Sequence, residues 1–517
     1  MGKRAVLSFM TILLAFATGP DTVQGRVELT HFTTVYLPAA SQQRPEYDGG
    51  SVEKIAYDAD GRLIYAVGEE VFHVIRFQEP DTLAIALTRY EDNVEFTDVK
   101  FCGGHVFMTV RNQTNPRDGV LRIYKGFTAG QADPFELVDE IPVGMQPDMV
   151  SVRENCRTLL VAVEGELFVD GASVVDPEGE IVIIHFPDNF TRDQATIKRL
   201  DLNAYNDRYD SLKATGVRFV YTGNGNKFSN DLEPEYITID ESSNKAYAVF
   251  QENNAIAEIN LETDNITNMY GLGYKQWGYL DASDRDDGIQ ITYWPIRAWY
   301  LPDTLTFHQW EGRKLLFTAN EGDAKEYDTP SFDETIRGAD IAKSSLGDDI
   351  HEIVQDAIDK DSKLGRLQFS KIDGIDQSGK YNALYTYGAR SFSIWDVTNP
   401  ADDKPLPRVF DSGSQFEEMI ALHCPYLFNR DDDDVDARSD NKGPEPESIA
   451  VGKMNDRLYI FIGIERPGII AVYSIGSHAS QAQFETIFCE GIPDESKPIR
   501  DLFDERKIYS MDPEDIR

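Results

Sequence analysis

The chain has 517 residues, of which 41% are hydrophobic and 27% are charged, a composition that excludes a disordered polypeptide and allows a large buried core. Asp and Glu number 89 against 50 Lys and Arg, so the formal net charge is -39. This charge excludes nucleic acid and anionic membranes as partners and favours cations, mineral surfaces or basic partners, although a merely soluble acidic surface would have the same composition.

The N-terminus has the pattern of a secretory signal peptide. Lys3 and Arg4 form a charged start, residues 5–17 form an apolar run, and Gly25 is the predicted last residue before cleavage. The apolar run is short for a membrane span, and no second stretch of that length follows it. We therefore predict a signal peptide over 1–25 and a secreted, single-domain mature chain over 26–517, with an uncleaved anchor as the alternative.

A repeat dominates the rest of the chain, with units that begin near positions 51, 97, 146, 233, 301 and 445. Each unit has Pro and an acidic residue, a short alternating strand, a polar turn and a second strand rich in β-branched and aromatic residues. Period-two alternation predicts antiparallel strands, and spacings of about 46 to 50 residues between early units fit one propeller blade each. A third strand follows in GEIVIIHF, NAIAEINL and GIIAVYSI. The predicted fold is an all-β propeller of seven or eight four-stranded blades.

Several segments depart from the regular spacing. Residues 187–230, 270–300 and 321–365 are expected to be long loop insertions, with a short helix within 343–360. A further blade is predicted at 381–412, where ALYTYGA and SFSIWDV have strand character. The final MDPEDIR has the pattern of an opening strand, so we expect a truncated last blade; the alternative is that this segment closes the ring with VELTHFTTVYL near the N-terminus.

Four cysteines in a secreted chain favour disulfides. Cys102 and Cys156 both lie at the turn between the first two strands of neighbouring repeats, which makes Cys102–Cys156 the preferred pair and leaves Cys424 with Cys489. Four buried thiols are the alternative. Asn112, Asn189 and Asn265 are each followed two residues later by Thr and are candidate glycosylation sites.

Two acidic segments are candidates for calcium binding. DASDRDDG places Asp281, Asp284, Asp286 and Asp287 in one Gly-terminated turn, and oxygen-rich turns suit Ca²⁺, which takes six to eight oxygen ligands. The run DDDDVDARSD contains Asp431, Asp432, Asp433 and Asp434; it is typical of a disordered loop, with weak Ca²⁺ or mineral contact as a second interpretation. A solvated turn is the alternative at the first segment.

A third set of charged residues recurs at matched positions of the repeats. Equivalent positions of successive blades converge on the propeller axis, so these side chains are predicted to share one axial funnel. The set contains Glu164 with Glu166, Glu252, Glu321 with Asp323, and Glu465 with Arg466 after second strands, and Glu233, Glu235, Glu445 and Glu447 at opening strands. Arg390 and Arg466 could neutralise part of the charge, and bound cations could neutralise the rest. A purely structural belt of ion pairs is the alternative.

Several of these motifs resemble the choice-of-anchor I domain family, which includes the mesenchyme-specific cell-surface glycoproteins. The resemblance is carried by ANEGDAKEYD, QENNAIA, GARSFSIWD, GPEPESIAVG, IGIERPG and DASDRDDGI and extends from about residue 30 to the C-terminus. It implies an extracellular protein associated with the biomineralised matrix of shells or skeletons, and it implies no defined activity. The acidic run 431–436 and the end at Arg517 depart from the family pattern.

Three functions follow from these observations. The first is a non-enzymatic secreted glycoprotein that binds Ca²⁺ or calcium mineral. The second is a Ca²⁺-dependent phosphohydrolase, in which ions in the funnel bind phosphate and activate water, with Glu321, Asp323, Lys325, Arg390, Glu465 and Arg466 as candidates. The third is a propeller whose acidic face binds basic proteins. The sequence lacks the common hydrolase and nucleotide-binding motifs, so a non-enzymatic role is preferred.

Overall fold

A computed structural model describes residues 6–15, 26–47, 49–78, 82–171, 173–328, 331–509, 511 and 513–517, with side chains from Val27 onward except that of Asn224. Strand Val6–Ala15 pairs antiparallel with Arg26–Tyr36. The predicted cleavage site lies outside the described residues, so the signal peptide stays a prediction. Within the described part of the chain, no helix is both long and apolar enough to cross a membrane.

Within the described residues, the strands form six four-stranded antiparallel blades, which confirms the prediction of an all-β propeller. Two long strands, Leu63–Gln78 and Thr82–Cys102, each supply two blade strands. In the first, residues 63–67 pair with 54–58 and residues 71–78 pair with 82–90. In the second, residues 82–90 complete blade 1, and residues 94–102 pair with 105–112 in blade 2. Blades 1 and 2 are built from Lys54–Asp58, Leu63–Gln78, Thr82–Cys102, His105–Asn112, Gly119–Lys125 and Leu137–Gly144. Blade 3 contains Pro147–Val152, Thr158–Val163, Glu180–His185 and Thr196–Asp201, and blade 4 contains Ile237–Asp240, Lys245–Phe250, Ala255–Asn260 and Asn265–Gly271.

Blade 5 is interrupted by a long insertion. It contains Leu305–Trp310, Arg313–Asn320, Ser391–Asp396 and Arg408–Asp411, and blade 6 contains Pro446–Met454, Arg457–Ile464, Ile469–Ile475 and Gln483–Phe488. The prediction of a separate blade at 381–412 is therefore wrong. Its strong strand SFSIWDV pairs with 315–320 and completes a blade that began before the insertion.

The seventh sector of the ring lies between blades 6 and 1. The Lys54 ammonium in blade 1 donates to the Glu514 carbonyl (3.2 Å), and the Ile55 amide donates to the Asp515 carboxylate (3.0 Å). The Ser448 hydroxyl of blade 6 donates to the Pro513 carbonyl. On the outer side, the Tyr36 hydroxyl donates to the Ile508 carbonyl (2.7 Å). Residues 508, 509, 511 and 513–517 and the strand Arg26–Tyr36 thus lie together in this sector, and the truncation of the last blade stays a prediction.

The hydrophobic core lies between blades and beneath the insertions. One cluster joins blades 4 and 5 through Tyr247, Tyr300 and Trp395, and another joins blade 6 to helix Gln415–His423. The insertions form their own cluster, in which Trp277 and Trp294 pack near the short helix Glu352–Ala357 that was predicted within 343–360. The other helices are Tyr209–Lys213, Phe228–Asp231 and Ile499–Asp504. Other parts of the insertions, among them 323–327, Gln368, Tyr387 and Lys442, contribute to the lining of the axial cavity described below.

Smaller sheets and 3₁₀ turns complete the insertions. The short strands are Phe168–Asp170, Ser173–Val175, Lys275–Gln276, Tyr279–Leu280, Thr292–Tyr293, Arg297–Ala298, Glu326–Tyr327, Phe332–Asp333, Thr335–Arg337, Gln368–Ser370 and Tyr385–Thr386. The 3₁₀ turns are Arg192–Gln194, Asn203–Arg208, Gly223–Gly225, Gly338–Asp340, Lys343–Ser345, Pro425–Leu427 and Ala479–Gln481.

Both predicted disulfides are present, Cys102–Cys156 and Cys424–Cys489. The first joins blade 2 to blade 3, and the second joins the end of helix Gln415–His423 to the segment after blade 6. Asn189 and Asn265 are exposed and Asn112 is half-buried, so attachment of glycans at these positions remains a prediction.

Candidate functional site

Acidic residues at the start of the innermost strands meet around the propeller axis. Asp148, Glu235, Asp303 and Glu447 each follow a proline at this position, and Glu514 follows Pro513 in the seventh sector. The pKa of Glu235 is raised well above its usual value by burial first, and then by charges that include Asp303 and Asp148. Side chains from three different blades therefore interact within one channel, because the repeat places them at equivalent positions.

A second layer of polar residues follows the second strand of each blade. Glu164, Gln251, Glu321 and Glu465 occupy this position in blades 3 to 6, and Arg111 occupies it in blade 2. A cavity of about 560 Å³ lies above the two layers, where Asp148, Glu164, Glu235, Gln251, Glu252 and Asp303 form part of its lining. Of the axial set expected from the sequence, Glu164, Glu235 and Glu252 line this cavity, and a functional role for the set stays a prediction.

Buried cations neutralise part of the funnel. The Arg111 guanidinium lies between Asp148 (2.9 Å) and Glu164 (2.7 Å) and binds both carboxylates. The Lys325 ammonium is 2.8 Å from Glu233. These pairs agree with the structural-belt interpretation for one part of the wall, because a buried charge is tolerated when an opposite charge and hydrogen bonds accompany it.

A third cation organises the wall contributed by blades 5 and 6. The Lys442 ammonium is 2.6 Å from Glu321, 3.2 Å from Asp323 and 3.7 Å from Glu445. Burial opposes ionisation of Glu445, but Lys442, Arg438 and Arg466 together outweigh it and lower the pKa of this carboxyl to about 2. Glu445 is therefore an anion that holds the surrounding cations in place.

Glu321, Glu447 and Glu465 form the tightest carboxylate group in the channel. One oxygen from each lies within 4.8 Å of the others. Oxygens that coordinate a single Ca²⁺ at about 2.4 Å can be separated by at most about 4.8 Å, so this spacing fits such an ion. Glu321 accepts from Lys442 and from the Gln251 amide (2.8 Å), whereas the Glu447 carboxylate makes no hydrogen bond or ion pair within the described chain.

The free acids in this region resist ionisation. The pKa of Glu447 is raised well above its usual value by burial first, and then by Glu514, Glu321 and Asp303. Burial likewise raises the pKa of Asp303 to about 7, although Lys54 opposes the shift. A divalent cation would relieve both the repulsion and the desolvation, because it favours the ionised form of each ligand.

Unpaired oxygens supply an independent indication of a ligand. Within the described residues, Glu235 Oε2, Glu252 Oε2 and Asp303 Oδ2 are inaccessible to solvent and have no hydrogen-bond partner. The Glu235 residue is only 9% exposed and lines the cavity. Because an unsatisfied buried acceptor costs about 1–3 kcal/mol, such oxygens indicate a bound proton, water or cation.

A second carboxylate group lies away from the axis. Asp281 and Asp286 of the predicted Asp-rich turn lie with Asp436, one oxygen of each within 4.8 Å of the others. Burial raises the pKa of Asp281 to about 7 and the pKa of Asp286 and Asp436 to about 6, and their mutual repulsion adds to the shifts. Asp281 is fixed in part by the Ser283 amide, which donates to it at 3.3 Å.

Other predicted calcium ligands are not part of this group. Asp284 instead binds the Arg366 guanidinium (2.9 Å), and Asp287 is exposed. Each belongs to the same turn as Asp281 but its side chain has a different environment.

The acidic run at 431–434 is not a disordered loop, which corrects that expectation. Asp431 and Asp434 exchange backbone hydrogen bonds of 2.9 Å, Asp432 accepts from the Tyr47 hydroxyl, and Asp433 accepts from the Ile499 amide (2.7 Å). The run is held as a turn because each of these acidic residues has a nearby donor. Its members are distributed among different partners and do not form one ligand set.

Arg390 does not face the axial funnel, contrary to the expectation from its motif. Its guanidinium is buried 2.6 Å from Glu417 and donates to the carbonyls of Asp281, Ser439 and Asn441. Arg390 therefore connects the Asp-rich turn to the loop that carries Asp436 by hydrogen bonds to both segments. Arg466 lies where it was expected, with Glu445 at 3.0 Å and Glu465 at 3.1 Å.

Sequence reasoning missed several residues of the site. Asp148 and Asp303 share the Pro-acid signal of the repeat and could have been found from it. Asp436 belongs to the acidic run that was singled out. Arg111 and Lys442 had no such signal, because a single cation at a strand end or in a loop has no periodic pattern.

Comparison with known families and proteins gives a consistent result. The model of the choice-of-anchor I domain matches residues 53–478. The chain is 32% identical over 320 residues to the mesenchyme-specific cell surface glycoprotein of Strongylocentrotus purpuratus, covering 55% of this chain and 41% of that protein. It is 36% identical over 168 residues to Gigasin-3a of Magallana gigas, covering 31% and 57% respectively. The chain thus aligns with about two fifths to three fifths of these relatives.

Solved structures of similar shape have little sequence identity to this chain. A putative 6-phosphogluconolactonase from Bacteroides fragilis has a TM-score of 0.42 and 8% identity, over 92% of this chain and 93% of that one. Saccharomyces cerevisiae Sqt1 has a TM-score of 0.40 and 10% identity, over 85% and 75%. The Cps50 (Swd1) beta-propeller domain of Myceliophteria thermophila has a TM-score of 0.39 and 6% identity, over 85% and 86%. At these values the likeness says nothing about what this chain binds.

Proposed function

Because the chain belongs to the choice-of-anchor I domain family, we propose that it acts outside the cell as an acidic matrix glycoprotein that binds Ca²⁺ or calcium mineral in a biomineralised matrix. The name of its sea-urchin relative, a cell surface glycoprotein, supports an extracellular location. Two disulfides support the same location, since they persist mainly in oxidising compartments.

The observation that carries the proposal is the Glu321–Glu447–Glu465 group. Three carboxylates can provide up to six oxygens, and hard oxygen ligands are those that Ca²⁺ prefers. The charge of the group is only partly neutralised by Lys442 and Arg466, and the Glu447 carboxylate has no partner in the described chain. A Ca²⁺ ion would supply the missing positive charge on the axis.

Binding to mineral would use the outer surface as well as the axis. The net charge of -39 gives the protein a long-range attraction for calcium-rich surfaces. The Asp281–Asp286–Asp436 group is a second candidate position for Ca²⁺ on the same chain. In this proposal the axial ion stabilises the ring, and the acidic exterior makes the contact with mineral or with basic matrix proteins.

Calcium titration by calorimetry tests the axial site. We expect heat and thermal stabilisation at or below millimolar Ca²⁺, and at least tenfold weaker binding in Glu447→Gln. Glu447→Gln should fold well without Ca²⁺, because it removes a carboxylate that resists ionisation in the fold. Glu154→Gln, at an exposed residue of blade 3, is the matched control and should bind as the wild type does.

Two outcomes would overturn the calcium proposal. One is a wild-type protein that gives neither heat nor thermal stabilisation at millimolar Ca²⁺. The other is equal loss of binding in Glu447→Gln and Glu154→Gln. Adsorption to calcium mineral that disappears at high salt, without any effect of Glu447→Gln, would instead favour the acidic-surface alternative, since screening weakens exposed charges most.

A second candidate function is Ca²⁺-dependent hydrolysis of phosphate esters. It is favoured by the cations Arg111, Lys325 and Lys442 in the lining of the axial cavity, of which Lys442 also contacts Glu321 of the carboxylate group, since cations beside a metal site suit a phosphate group. Release of phosphate from phosphomonoesters or phytate in Ca²⁺, with loss of turnover in Glu321→Gln, would support it. Absence of turnover in a protein that binds Ca²⁺ would leave the matrix function alone.

A further inference from the structure

A second cavity, of about 390 Å³, lies beside blades 4 and 5, away from the acidic channel. It is enclosed by the end of the fourth strand of blade 4, the outer strand of blade 5 and the loop after helix Tyr209–Lys213. Its volume is that of a typical small-molecule site. None of the described residues that line it is acidic, whereas two, Lys213 and Arg408, are cationic. In a chain with 89 Asp and Glu this local charge is unusual.

The cavity has an aromatic wall that is held rigidly. Tyr274 is 44% exposed, and the Arg297 guanidinium lies 4.3 Å from its ring centroid. Tyr385 contacts Tyr274 edge to face at 5.7 Å and stacks on Trp299 at 4.4 Å. These contacts fix the orientation of Tyr274, so a large part of an ordered aromatic ring remains open to a ligand.

Tyr300 forms part of the base of the cavity. It lines the cavity, is only 1% exposed, and packs edge to face on Trp395 at 5.0 Å. Its hydroxyl oxygen is inaccessible to solvent, so a ligand in the cavity would contact the aromatic wall and not this hydroxyl.

The two cations have no acidic partner. The Arg408 guanidinium lies 5.5 Å from the Tyr300 ring centroid, and the Lys213 ammonium lies 5.9 Å from the Tyr209 ring centroid. Within the described chain neither makes an ion pair, and both are exposed. Most other cations that border a cavity of this molecule are paired with carboxylates, so these two are available to an anionic ligand.

We propose that this cavity binds an acidic saccharide, a sugar unit that carries a carboxylate or a sulfate. The apolar face of the pyranose ring packs on the exposed ring of Tyr274. Arg408 and Lys213 bind the anionic group, since a guanidinium suits planar and tetrahedral oxyanions. The site is separate from the axial Ca²⁺ group and does not depend on it.

Other ligand classes match fewer of these features. A free inorganic anion would use the cations but not the exposed aromatic face. A neutral sugar would use the aromatic face but would leave both cations without a partner. An acidic saccharide uses the aromatic and the cationic groups together.

Calorimetric titration with a tetramer of galacturonate, in EDTA, tests the proposal with the full chain. EDTA keeps Ca²⁺ from bridging the saccharide to the acidic surface. We expect binding that is at least tenfold tighter than binding of maltotetraose, the neutral probe. Arg408→Gln should weaken it about tenfold, and Arg192→Gln, at an exposed arginine of blade 3 whose side chain has no ion pair in the described chain, should leave it unchanged.

Tyr274→Leu tests the aromatic face separately from the cations. Saccharide affinity should fall about fivefold or more, because the exposed ring that packs on the sugar is lost, whereas the thermal midpoint should change little at a residue that is 44% exposed. Four results would overturn the proposal: no galacturonate binding at millimolar concentration, equal binding of maltotetraose, equal affinity for sulfate alone, or equal effects of Arg408→Gln and Arg192→Gln. Ca²⁺ binding by Arg408→Gln should match the wild type, so failure here leaves the axial proposal intact.

Discussion

Replacement of Lys442 by Met tests how strongly the axial charge network depends on burial. The change keeps most of the side-chain volume and removes the ammonium that contacts Glu321 at 2.6 Å and Asp323 at 3.2 Å. The Lys442 and Glu321 side chains are only 5% and 12% exposed. Removal of one partner from a buried pair costs about 3–5 kcal/mol, because the remaining carboxylate is left buried without a counter-charge.

A matched surface pair sets the scale for this effect. Lys497 and Glu505 are also 2.6 Å apart, but their side chains are 35% and 40% exposed. Solvent screens such a pair, which contributes at most about 1 kcal/mol. Lys497→Met should therefore cost several-fold less than Lys442→Met, although the two ion pairs have the same length.

Urea unfolding in EDTA, followed by tryptophan fluorescence, measures both variants. Addition of Ca²⁺ at about 100 times its dissociation constant should then stabilise Lys442→Met by roughly 2.7 kcal/mol, if the ion binds only the folded protein. Equal destabilisation by the two substitutions would refute the reasoning, because it would mean that burial does not amplify the interaction. A Lys442→Met variant as stable as the wild type without Ca²⁺ would refute it as well.

Three further predictions concern the two carboxylate groups and the backbone beside them. Ca²⁺ binding should release protons from Asp303, whose pKa is about 7. This carboxyl holds about 0.9 proton at pH 6 and about 0.1 proton at pH 8. Calorimetry in buffers of different ionisation enthalpy should therefore detect a larger proton release at pH 6. Asp436→Asn should stabilise the protein in EDTA by about 1–3 kcal/mol at pH 8 and by less at pH 5. The reason is that the pKa of Asp436 is raised to about 6 in the fold, so ionisation of this carboxyl opposes folding as the pH rises through that value. Thermal midpoints of the variant and the wild type at the two pH values check this. Gly322→Ala should cost about 3 kcal/mol and weaken Ca²⁺ binding, because Gly322 has φ of +89° and a Cβ there would overlap the Gly388 backbone next to Glu321.

Controls for these predictions are available in the same chain. Gly312 also has a positive φ, of +76°, but a Cβ there would contact nothing, so Gly312→Ala should cost only about 1 kcal/mol. Proton release that does not change between pH 6 and pH 8 would contradict the assignment of Asp303 to the channel chemistry. An Asp436→Asn variant that is less stable at pH 8 than at pH 5, relative to the wild type, would contradict the repulsion within its group.

The parts of the structure that repeat could be predicted from the sequence. The Pro-acid motif and the alternating strands recur along the chain, and their recurrence is sufficient to place Glu235, Glu321, Glu447 and Glu465 near one axis. The Cys102–Cys156 disulfide followed from the same periodicity, since these cysteines occupy equivalent turns, and Cys424–Cys489 was the pair that remained. Periodicity works here because each blade must bury the same faces against its neighbours.

The parts that do not repeat could not be predicted in the same way. The strand pairing in blade 5 joins residues 315–320 to 391–396 across a long insertion, so a local pattern suggested a separate blade. Arg390 has a strand-end motif like those of the axial residues, but its backbone adopts φ of +50° and its guanidinium binds Glu417 on a helix. Such long-range partners are set by tertiary packing and leave no signal near Arg390 in the sequence.

The contacts of the seventh sector also have a consequence for how the molecule folds. The bonds from Lys54 and Ile55 to residues 514 and 515 join positions about 460 apart in sequence. During synthesis, blade 1 emerges from the ribosome long before the segment that covers its free side, and contacts of such high sequence separation form slowly. Blade 1 is therefore synthesised before the segment that covers its edge strand. We expect this exposed strand to be a site where chaperones bind the nascent chain, and where misassembly begins when synthesis stalls.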